Sequence, residues 1–332
     1  MTLNKKSRQP THNDRVVLDF EDNRLLPLLF GQHDAHLARI EQMLDVVIVS
    51  RGNRLQIEGP LKSCQIAELT LTDLYKRLET GQSLEFGDVE GAIRLASADR
   101  ENGSSNLEEL NGGVQIDTKS RIIKPRTPLQ AQYIRHLMNA DITFGVGPAG
   151  TGKTYLAVAT AVAKLMSGEV ERIILSRPAV EAGENLGFLP GDMKEKVDPY
   201  MRPLYDALYD TLPAGQVEKR FASGQIEIAP LAFMRGRTLS NAYVILDEAQ
   251  NTTFMQMKMF LTRFGLSSQM VVAGDPSQVD LPGSARSGLR HALQIVKELS
   301  GVAVVRFTDR DVVRHPLVSQ IVRAYENEPG KS

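Results

Sequence analysis

The chain has 332 residues, 42% of them hydrophobic, which is enough material for two domains with cores of their own. Its formal net charge of −1 excludes the overall basic field of a dedicated nucleic-acid-binding domain, so any RNA contact has to use local patches. A single cysteine, Cys64, excludes an intramolecular disulfide framework and fits a reducing cytosol, and we expect it to be buried as a small apolar residue.

The first fifteen residues, MTLNKKSRQPTHNDR, are polar and basic. No apolar core follows them, so the sequence does not predict a secretory signal. No stretch is apolar for long enough to span a bilayer. We therefore expect a soluble, cytoplasmic protein without a membrane partner.

Residues 14–98 predict a small α+β domain. RVVLDF alternates like a strand, AHLARIEQML has the spacing of an amphipathic helix, VVIVS-RGN-RLQIEG predicts a hairpin, and SCQIAELTLTDLYKRLET predicts a longer helix. This order is typical of a KH-like domain, which clamps a nucleotide backbone with a Gly-x-x-Gly loop. Gly31 stands at the first glycine position, but Asp34 stands at the second, where a carboxylate repels phosphate. The domain is thus an RNA-binding module or a docking and oligomerisation module.

A polar stretch, ADRENGSSNLEELNGGVQ, predicts a linker over residues 99–118, ahead of a second domain over residues 119–327. A basic run of Lys119, Arg121, Lys124 and Arg126 enters that domain. It is either an RNA contact or a solvated part of the linker.

A phosphate-binding loop follows a short apolar strand at residues 141–144. The loop, GPAGTGKT, has Gly147, four further residues, and then Gly152, Lys153 and Thr154, and a helix-spaced apolar run comes after it. Small residues in this turn let backbone N–H groups converge on an anion at a helix N-terminus. Lys153 can reach the β and γ phosphates, and the Thr154 hydroxyl can ligate Mg²⁺. The predicted nucleotide-binding residues are Gly147, Pro148, Ala149, Gly150, Thr151, Gly152, Lys153 and Thr154.

Two further motifs come at the ends of predicted strands. NAYVILDEAQNTT places Asp247 where it can hold Mg²⁺ and Glu248 where it can deprotonate an attacking water, which favours hydrolysis over transfer to an acceptor. QMVVAGDPSQ places Gln278 where its amide can contact the γ phosphate and report its loss. Strands near residues 142, 173, 227, 244, 271 and 303, with helices between most of them, predict a mainly parallel sheet covered on both faces.

Several cations between and after these motifs are candidates for contacts with RNA or with a neighbouring subunit. Arg177, Lys194 and Lys196 flank a Gly/Pro-rich segment, and Arg235 and Arg237 form a basic turn ahead of the acidic strand. Ordinary charged surface positions are the alternative for each of them.

The order of the three motifs, P-loop, DEAQ and GDPSQ, resembles that of the first, RecA-like motor domain of superfamily 1 helicases. The sequence around these motifs resembles the PhoH family of ATPases. KPRTPLQAQYI, SRPAVEAGENLGFLPGD, MRGRTLSNAYVILDEAQNTT and GDPSQVDLP carry the resemblance over roughly residues 120–325. It implies an RNA-associated ATPase or RNA helicase, with ATP and Mg²⁺ as cofactors. It also implies that Gln130 recognises adenine.

A complete helicase closes ATP between two RecA-like domains, but only about fifty residues follow Gln278, too few for a second one. A neighbouring subunit in a homo-oligomeric ring, with a hexamer favoured, can supply the missing face. Catalysis then calls for a cation offered in trans, and we favour Arg310 or Arg314, with Arg286 and Arg290 as further candidates.

Two other functions stay open at this point. One is an ATP-dependent switch or adaptor that assembles with a ribonuclease partner and moves no strand. The other is a small-molecule phosphotransferase, which Glu248 and Gln278 disfavour because they suit an attacking water.

Overall fold

The computed structural model describes residues 14–101, 114–178, 193–282, 286–313 and residue 321. The chain divides into two compact units, one of residues 1–113 with 126–128 and one of residues 114–125 with 129–332. Of the sequence motifs, residues 179–192 of the Gly/Pro-rich segment, residues 102–113 of the proposed linker, Arg314 and the side chains of Lys194 and Lys196 lie outside the described part.

The amino-terminal unit has a three-stranded antiparallel sheet in the order β1-β3-β2, covered on one face by helices. Its elements are β1 (Asp14–Asp19), α1 (Leu26–Phe30), α2 (Ala35–Leu44), β2 (Val47–Arg51), β3 (Arg54–Gly59), α3 (Leu61–Glu79) and α4 (Phe86–Glu101). Alternation along β3 buries Leu55 and Ile57 against Leu71 and Leu74 of α3, and Cys64 is fully buried in the same core, as expected. The predicted order of strand, helix, hairpin and helix is confirmed.

Two helices of this unit were not predicted. Helix α1 has five residues, which is too short for a helical period to be visible in the sequence. Helix α4 contains Gly87 and Gly91, which weaken the helical signal. Both glycines face Arg126, and a Cβ on Gly87 would lie 2.7 Å from its guanidinium. The guanidinium also pairs with Asp88 at 3.1 Å, so this member of the basic run is held in place by an acidic residue.

The Gly-x-x-Gly-like turn lies between α1 and α2. His33, at its second variable position, and Asp34, at its second glycine position, both have left-handed backbone conformations, with φ of 53° and 58°. The turn therefore adopts at Asp34 the conformation that a glycine would favour, while keeping a carboxylate there.

The second unit is built on six parallel strands in the order β11-β6-β10-β9-β7-β8. These strands are β6 (Ile142–Val146), β7 (Arg172–Ser176), β8 (Ile226–Ile228), β9 (Ala242–Leu246), β10 (Gln269–Gly274) and β11 (Val302–Arg306), with a small hairpin of β4 (Ile116–Asp117) and β5 (Ile122–Ile123) beside them. All six predicted strands of the parallel sheet are confirmed.

Helices cover both faces of this sheet, because its strands bury side chains on each side. Ile173, Tyr243 and Val271 pack toward one core, and Ile174 and Val244 pack toward the other. The first core is closed by α5 (Pro128–Asn139), α6 (Lys153–Ser167), α7 (Met193–Thr211) and α8 (Ala214–Ala222), and the second by α9 (Phe254–Leu261) and α10 (Gly288–Ile295). The architecture is the predicted α/β P-loop domain.

Candidate nucleotide-binding site

A cavity of about 650 Å³ opens at the carboxyl ends of β6, β9 and β10, the edge where parallel α/β sheets bind ligands. Its lining comprises Ala149, Gly150, Gly152, Lys153, Thr154 and Tyr155 from the loop and α6, Arg177 after β7, Pro203, Asp206, Ala207 and Asp210 from α7, Asp247 and Glu248 after β9, and Gly274, Asp275 and Gln278 after β10. The three predicted motifs therefore meet in one cavity. The contribution of α7 was not predicted.

The phosphate loop between β6 and α6 depends on its glycines. Gly147 has a φ of 140°, and a Cβ there would lie 2.4 Å from the Phe307 carbonyl oxygen. Gly150 and Gly152 have φ values of 84° and 83°. Among the described residues, no acceptor takes the backbone N–H groups of Ala149, Gly150 and Gly152. Such a row of N–H groups at the start of a helix is suited to a phosphate.

Lys153 is nearly buried and lies over the loop. Its ammonium donates hydrogen bonds to the carbonyl oxygens of Gly147 at 2.7 Å and Pro148 at 2.6 Å, and to the Thr151 hydroxyl at 3.2 Å. The loop's own carbonyls thus hold the cation in place, and a phosphate bound to the loop would compete with them for it.

Thr154 and Asp247 are joined across the cavity although they lie far apart in sequence. The Thr154 hydroxyl donates to Oδ1 of Asp247 at 2.6 Å. Burial raises the pKa of the Asp247 carboxyl above its ordinary value, an effect that the hydroxyl bond opposes. A hydroxyl and a carboxylate side by side are oxygen ligands of the kind Mg²⁺ takes, and this ion needs few protein ligands because it keeps most of its waters.

Glu248 is held by two neighbours. Arg177 donates to its Oε1 at 2.8 Å, and the amide of Gln250 donates to its Oε2 at 2.5 Å. The side-chain Oε1 of Gln250 in turn accepts the backbone N–H of Asp275 at 3.0 Å, which ties the DEAQ segment to the GDPSQ segment. Gln250 is fully buried, and no role was predicted for it although it is the last residue of DEAQ.

The GDPSQ turn has an internal scaffold. Asp275 is buried and accepts hydrogen bonds from the backbone and hydroxyl of Ser277, at 2.9 and 2.6 Å. The backbone N–H of Gln278 donates to the Asp275 carbonyl at 3.1 Å, and its exposed side chain lines the cavity.

The remaining candidate residues are more dispersed. Gln130 is buried behind the loop and donates from its amide to the Thr151 carbonyl at 2.9 Å, and it does not line the cavity. Arg310 is exposed on a 3-10 turn, Asp309–Asp311, and the backbone N–H of Val313 after that turn donates to the Gly150 carbonyl. The turn therefore lies against the chain's own phosphate loop.

The other predicted cations serve different contacts. Arg237 forms a two-point ion pair with Glu227, at 2.6 and 2.7 Å, which lowers the pKa of that carboxyl. Arg121 pairs with Asp210 at 2.8 Å, and Arg235 is exposed. Arg286 and Arg290 line a second cavity, described below.

Comparison with known proteins decides the family. The family described as "PhoH-like protein" matches residues 122–326, a range that contains all three motifs of the cavity. The chain belongs to the PhoH-like family. The PhoH-like protein of Bacillus subtilis is 49% identical over 300 residues, covering 90% of this chain and 93% of its own length. The PhoH-like protein of Mycobacterium bovis is 45% identical over 326 residues, covering 98% and 92%.

Similarity to PhoH-like proteins also reaches the amino-terminal unit, since the Mycobacterium match covers nearly the whole chain. Protein PhoH of Escherichia coli matches less of the chain, at 44% identity over 222 residues, 64% of this chain and 63% of that protein. Family and fold together make this PhoH-like chain a nucleotide-binding protein of the P-loop ATPase type. Among the described helices, none combines the length and the apolar character that crossing a membrane requires.

Proposed function

We propose that the protein is a Mg²⁺-dependent ATPase that acts on RNA. The observation that carries the proposal is the 2.6 Å hydrogen bond between Thr154 and Asp247, with Glu248 as the next residue. It joins the end of the phosphate loop to the end of β9, as a shared metal site requires.

The charge of the cavity supports a metal-bound nucleotide. Five carboxylates line it, those of Asp206, Asp210, Asp247, Glu248 and Asp275, against the two cations Lys153 and Arg177. A bare triphosphate beside this many carboxylates is repelled, whereas a divalent cation between them offsets the repulsion. Bound Mg²⁺ supplies charge neutralisation at the β and γ phosphates.

Each residue then has a defined part in hydrolysis. Lys153 moves from the loop carbonyls to the β and γ phosphates. Glu248 accepts a proton from the attacking water, whose oxygen bonds to the γ phosphorus as the bond to the β–γ bridging oxygen breaks and ADP leaves. Gln278 lines the cavity, and its amide is assigned to contact the γ phosphate and report its loss. The preference for ATP is proposed from the family resemblance alone, because Gln130 lies behind the loop and does not line the cavity.

RNA is the proposed effector because the amino-terminal unit has a KH-like order of elements. The active species is proposed to be a ring, since the described cavity lies on one RecA-like domain and a neighbouring subunit can close it with Arg310 or Arg314.

The test is steady-state ATP hydrolysis with and without single-stranded RNA, with mass in solution recorded on the same sample. The proposal expects RNA to raise turnover several-fold in a ring-shaped oligomer. If turnover does not respond to RNA but rises when a protein such as a ribonuclease is added, the nucleotide-dependent adaptor replaces the RNA-directed ATPase as the function.

A further inference from the structure

A second cavity, here called the arginine pocket, lies beside the starts of α9 and α10. Its volume is about 680 Å³, close to that of the nucleotide cavity. The residues of its lining used below are Phe254, Arg286, Ser287, Arg290 and His291. None of the described lining residues is acidic, in contrast to the five carboxylates of the nucleotide cavity.

The chemistry of the arginine pocket combines exposed cations with an exposed aromatic ring. Arg286 is exposed and pairs with no acidic or carbonyl group among the described residues. The Phe254 ring is 43% exposed and meets the His291 ring edge-on, with centroids 4.6 Å apart. Guanidinium groups bind phosphate, and aromatic rings stack on bases irrespective of sequence. An anion with a flat base, such as a nucleotide unit of a single strand, satisfies both features, because its phosphate pairs with the guanidinium and its base stacks on the ring.

The wall of the pocket is bonded to both catalytic segments. The Ser287 hydroxyl donates to the Gln250 carbonyl at 2.8 Å, and the Gln250 side chain bonds to Glu248. Arg290 donates from Nε to the Pro276 carbonyl at 2.9 Å, two residues before Gln278. Packing at this junction is tight, since a Cβ on Gly288 would lie 2.4 Å from the Thr253 carbonyl oxygen. Ser287 and Arg290 therefore give the pocket direct contacts with the DEAQ and GDPSQ segments.

We propose that the arginine pocket binds one nucleotide unit of single-stranded RNA, and that its occupancy reaches Glu248 through Ser287 and Gln250. The phosphate is held by Arg286, and the base lies against Phe254 and His291. This inference rests on the proposed function, for which it names an RNA contact and the route to the catalytic carboxylate. Gln250 acts as a positioning residue in this route.

The first test measures binding of a fluorescent oligouridine, with a non-hydrolysable ATP analogue present so that the result does not depend on hydrolysis. Arg286→Ala is expected to weaken binding about five- to tenfold at 0.1 M salt and to lower the salt dependence by about one phosphate contact. Phe254→Leu is expected to weaken oligouridine binding at least about fivefold, but not to weaken binding of inorganic polyphosphate, which has no base. Lys297→Ala is the matched control, because it removes an exposed cation just after the far end of α10.

The outcomes separate this inference from the proposed function. If the unchanged protein binds oligouridine and both pocket variants bind it equally well, the pocket assignment is wrong while an RNA-directed ATPase stands. If the unchanged protein hydrolyses ATP but binds no oligouridine, the RNA part of the proposed function fails and the pocket fails with it. A change of mass in solution with Arg286→Ala, without a change in RNA affinity, would assign the pocket to a contact between copies of the chain.

The second test asks where the RNA binds and whether its effect reaches Glu248 through Ser287 and Gln250. Photo-crosslinking with an oligonucleotide that carries 4-thiouridine is expected to label peptides containing Phe254 or His291, and labelling confined to other peptides overturns the site. Ser287→Ala breaks the bond to Gln250, so the ratio of RNA-stimulated to basal turnover is expected to fall toward one while RNA affinity stays close to that of the unchanged protein. Undiminished stimulation in this variant would overturn the route.

Discussion

Lys153→Ala separates nucleotide binding from folding, because helix α6 contains a matched control. Lys153 and Lys164 are both nearly buried on this helix, and each donates to backbone carbonyls, Lys164 to that of Met138 at 2.7 Å. Hydrogen bonds to charged groups contribute roughly 1.5–3 kcal/mol, partly offset because the variant no longer buries a charge. Each alanine variant is therefore expected to lose about 1–2 kcal/mol of unfolding free energy.

The two variants differ in their response to Mg·ATP. With ligand at one hundred times its Kd, the folded protein gains about 2.7 kcal/mol. Loss of two charge-assisted contacts with phosphate, roughly 1.5–3 kcal/mol each, raises Kd by about 10²–10⁴. The same ligand concentration then stabilises Lys153→Ala by about 0.4 kcal/mol or less.

The assay is urea unfolding of the unchanged protein and both variants, with and without Mg·ATP. We expect the unchanged protein and Lys164→Ala to gain equally from the ligand and Lys153→Ala to gain almost nothing. A full gain in Lys153→Ala would refute the assignment of the phosphate loop.

Three further predictions concern the metal site, the phosphate loop and an ion pair of the same unit. Asp247→Asn is expected to raise the Mg²⁺ concentration for half-maximal hydrolysis by about tenfold or more, and an unchanged Mg²⁺ titration would count against Asp247 as a ligand. Gly147→Ala is expected to lose roughly 2–6 kcal/mol of unfolding free energy, because an alanine there has a strained φ and its Cβ meets the Phe307 carbonyl. Gly236→Ala is the control, with a φ of 78° but open space around the added Cβ, and is expected to lose about 1–2 kcal/mol. Equal losses of the two variants in urea unfolding would contradict the contact with Phe307. Arg237 lowers the pKa of the Glu227 carboxyl in the folded protein below its value in the unfolded chain. The pair therefore contributes its full stabilisation at pH values above the pKa that Glu227 has in the unfolded chain, and this contribution is lost as the pH falls through the lower pKa of the folded protein. Arg237→Ala should therefore cost about 1 kcal/mol at neutral pH and progressively less in acid, and a pH-independent difference in unfolding would argue against the pair.

The sequence predicted the phosphate loop and the ends of β9 and β10 because these features are local. Gly147, Lys153 and Thr154 lie within eight residues, and their roles follow from spacing and from the backbone freedom of glycine. The apolar runs before Asp247 and Asp275 predicted buried parallel strands, whose carboxyl ends share one edge of the sheet.

The contacts between distant segments could not be predicted in the same way. Arg177 was a candidate for RNA or a neighbouring subunit, but it pairs with Glu248, 71 residues further along the chain. Gln250 bridges two segments that are adjacent only once β9 and β10 are paired. The acidic wall from α7 depends on how that helix packs, which a helical period does not specify.

The most direct test of the account is release of phosphate from Mg·ATP by the unchanged protein and by Glu248→Gln, with nucleotide binding measured on the same samples. Glutamine keeps the size of the side chain but cannot accept the proton from water. We predict that Glu248→Gln binds Mg·ATP as tightly as the unchanged protein does, while its turnover falls by about 10²–10⁴. Turnover close to that of the unchanged protein would contradict the assignment of Glu248 as the catalytic base and, with it, the proposed hydrolytic site.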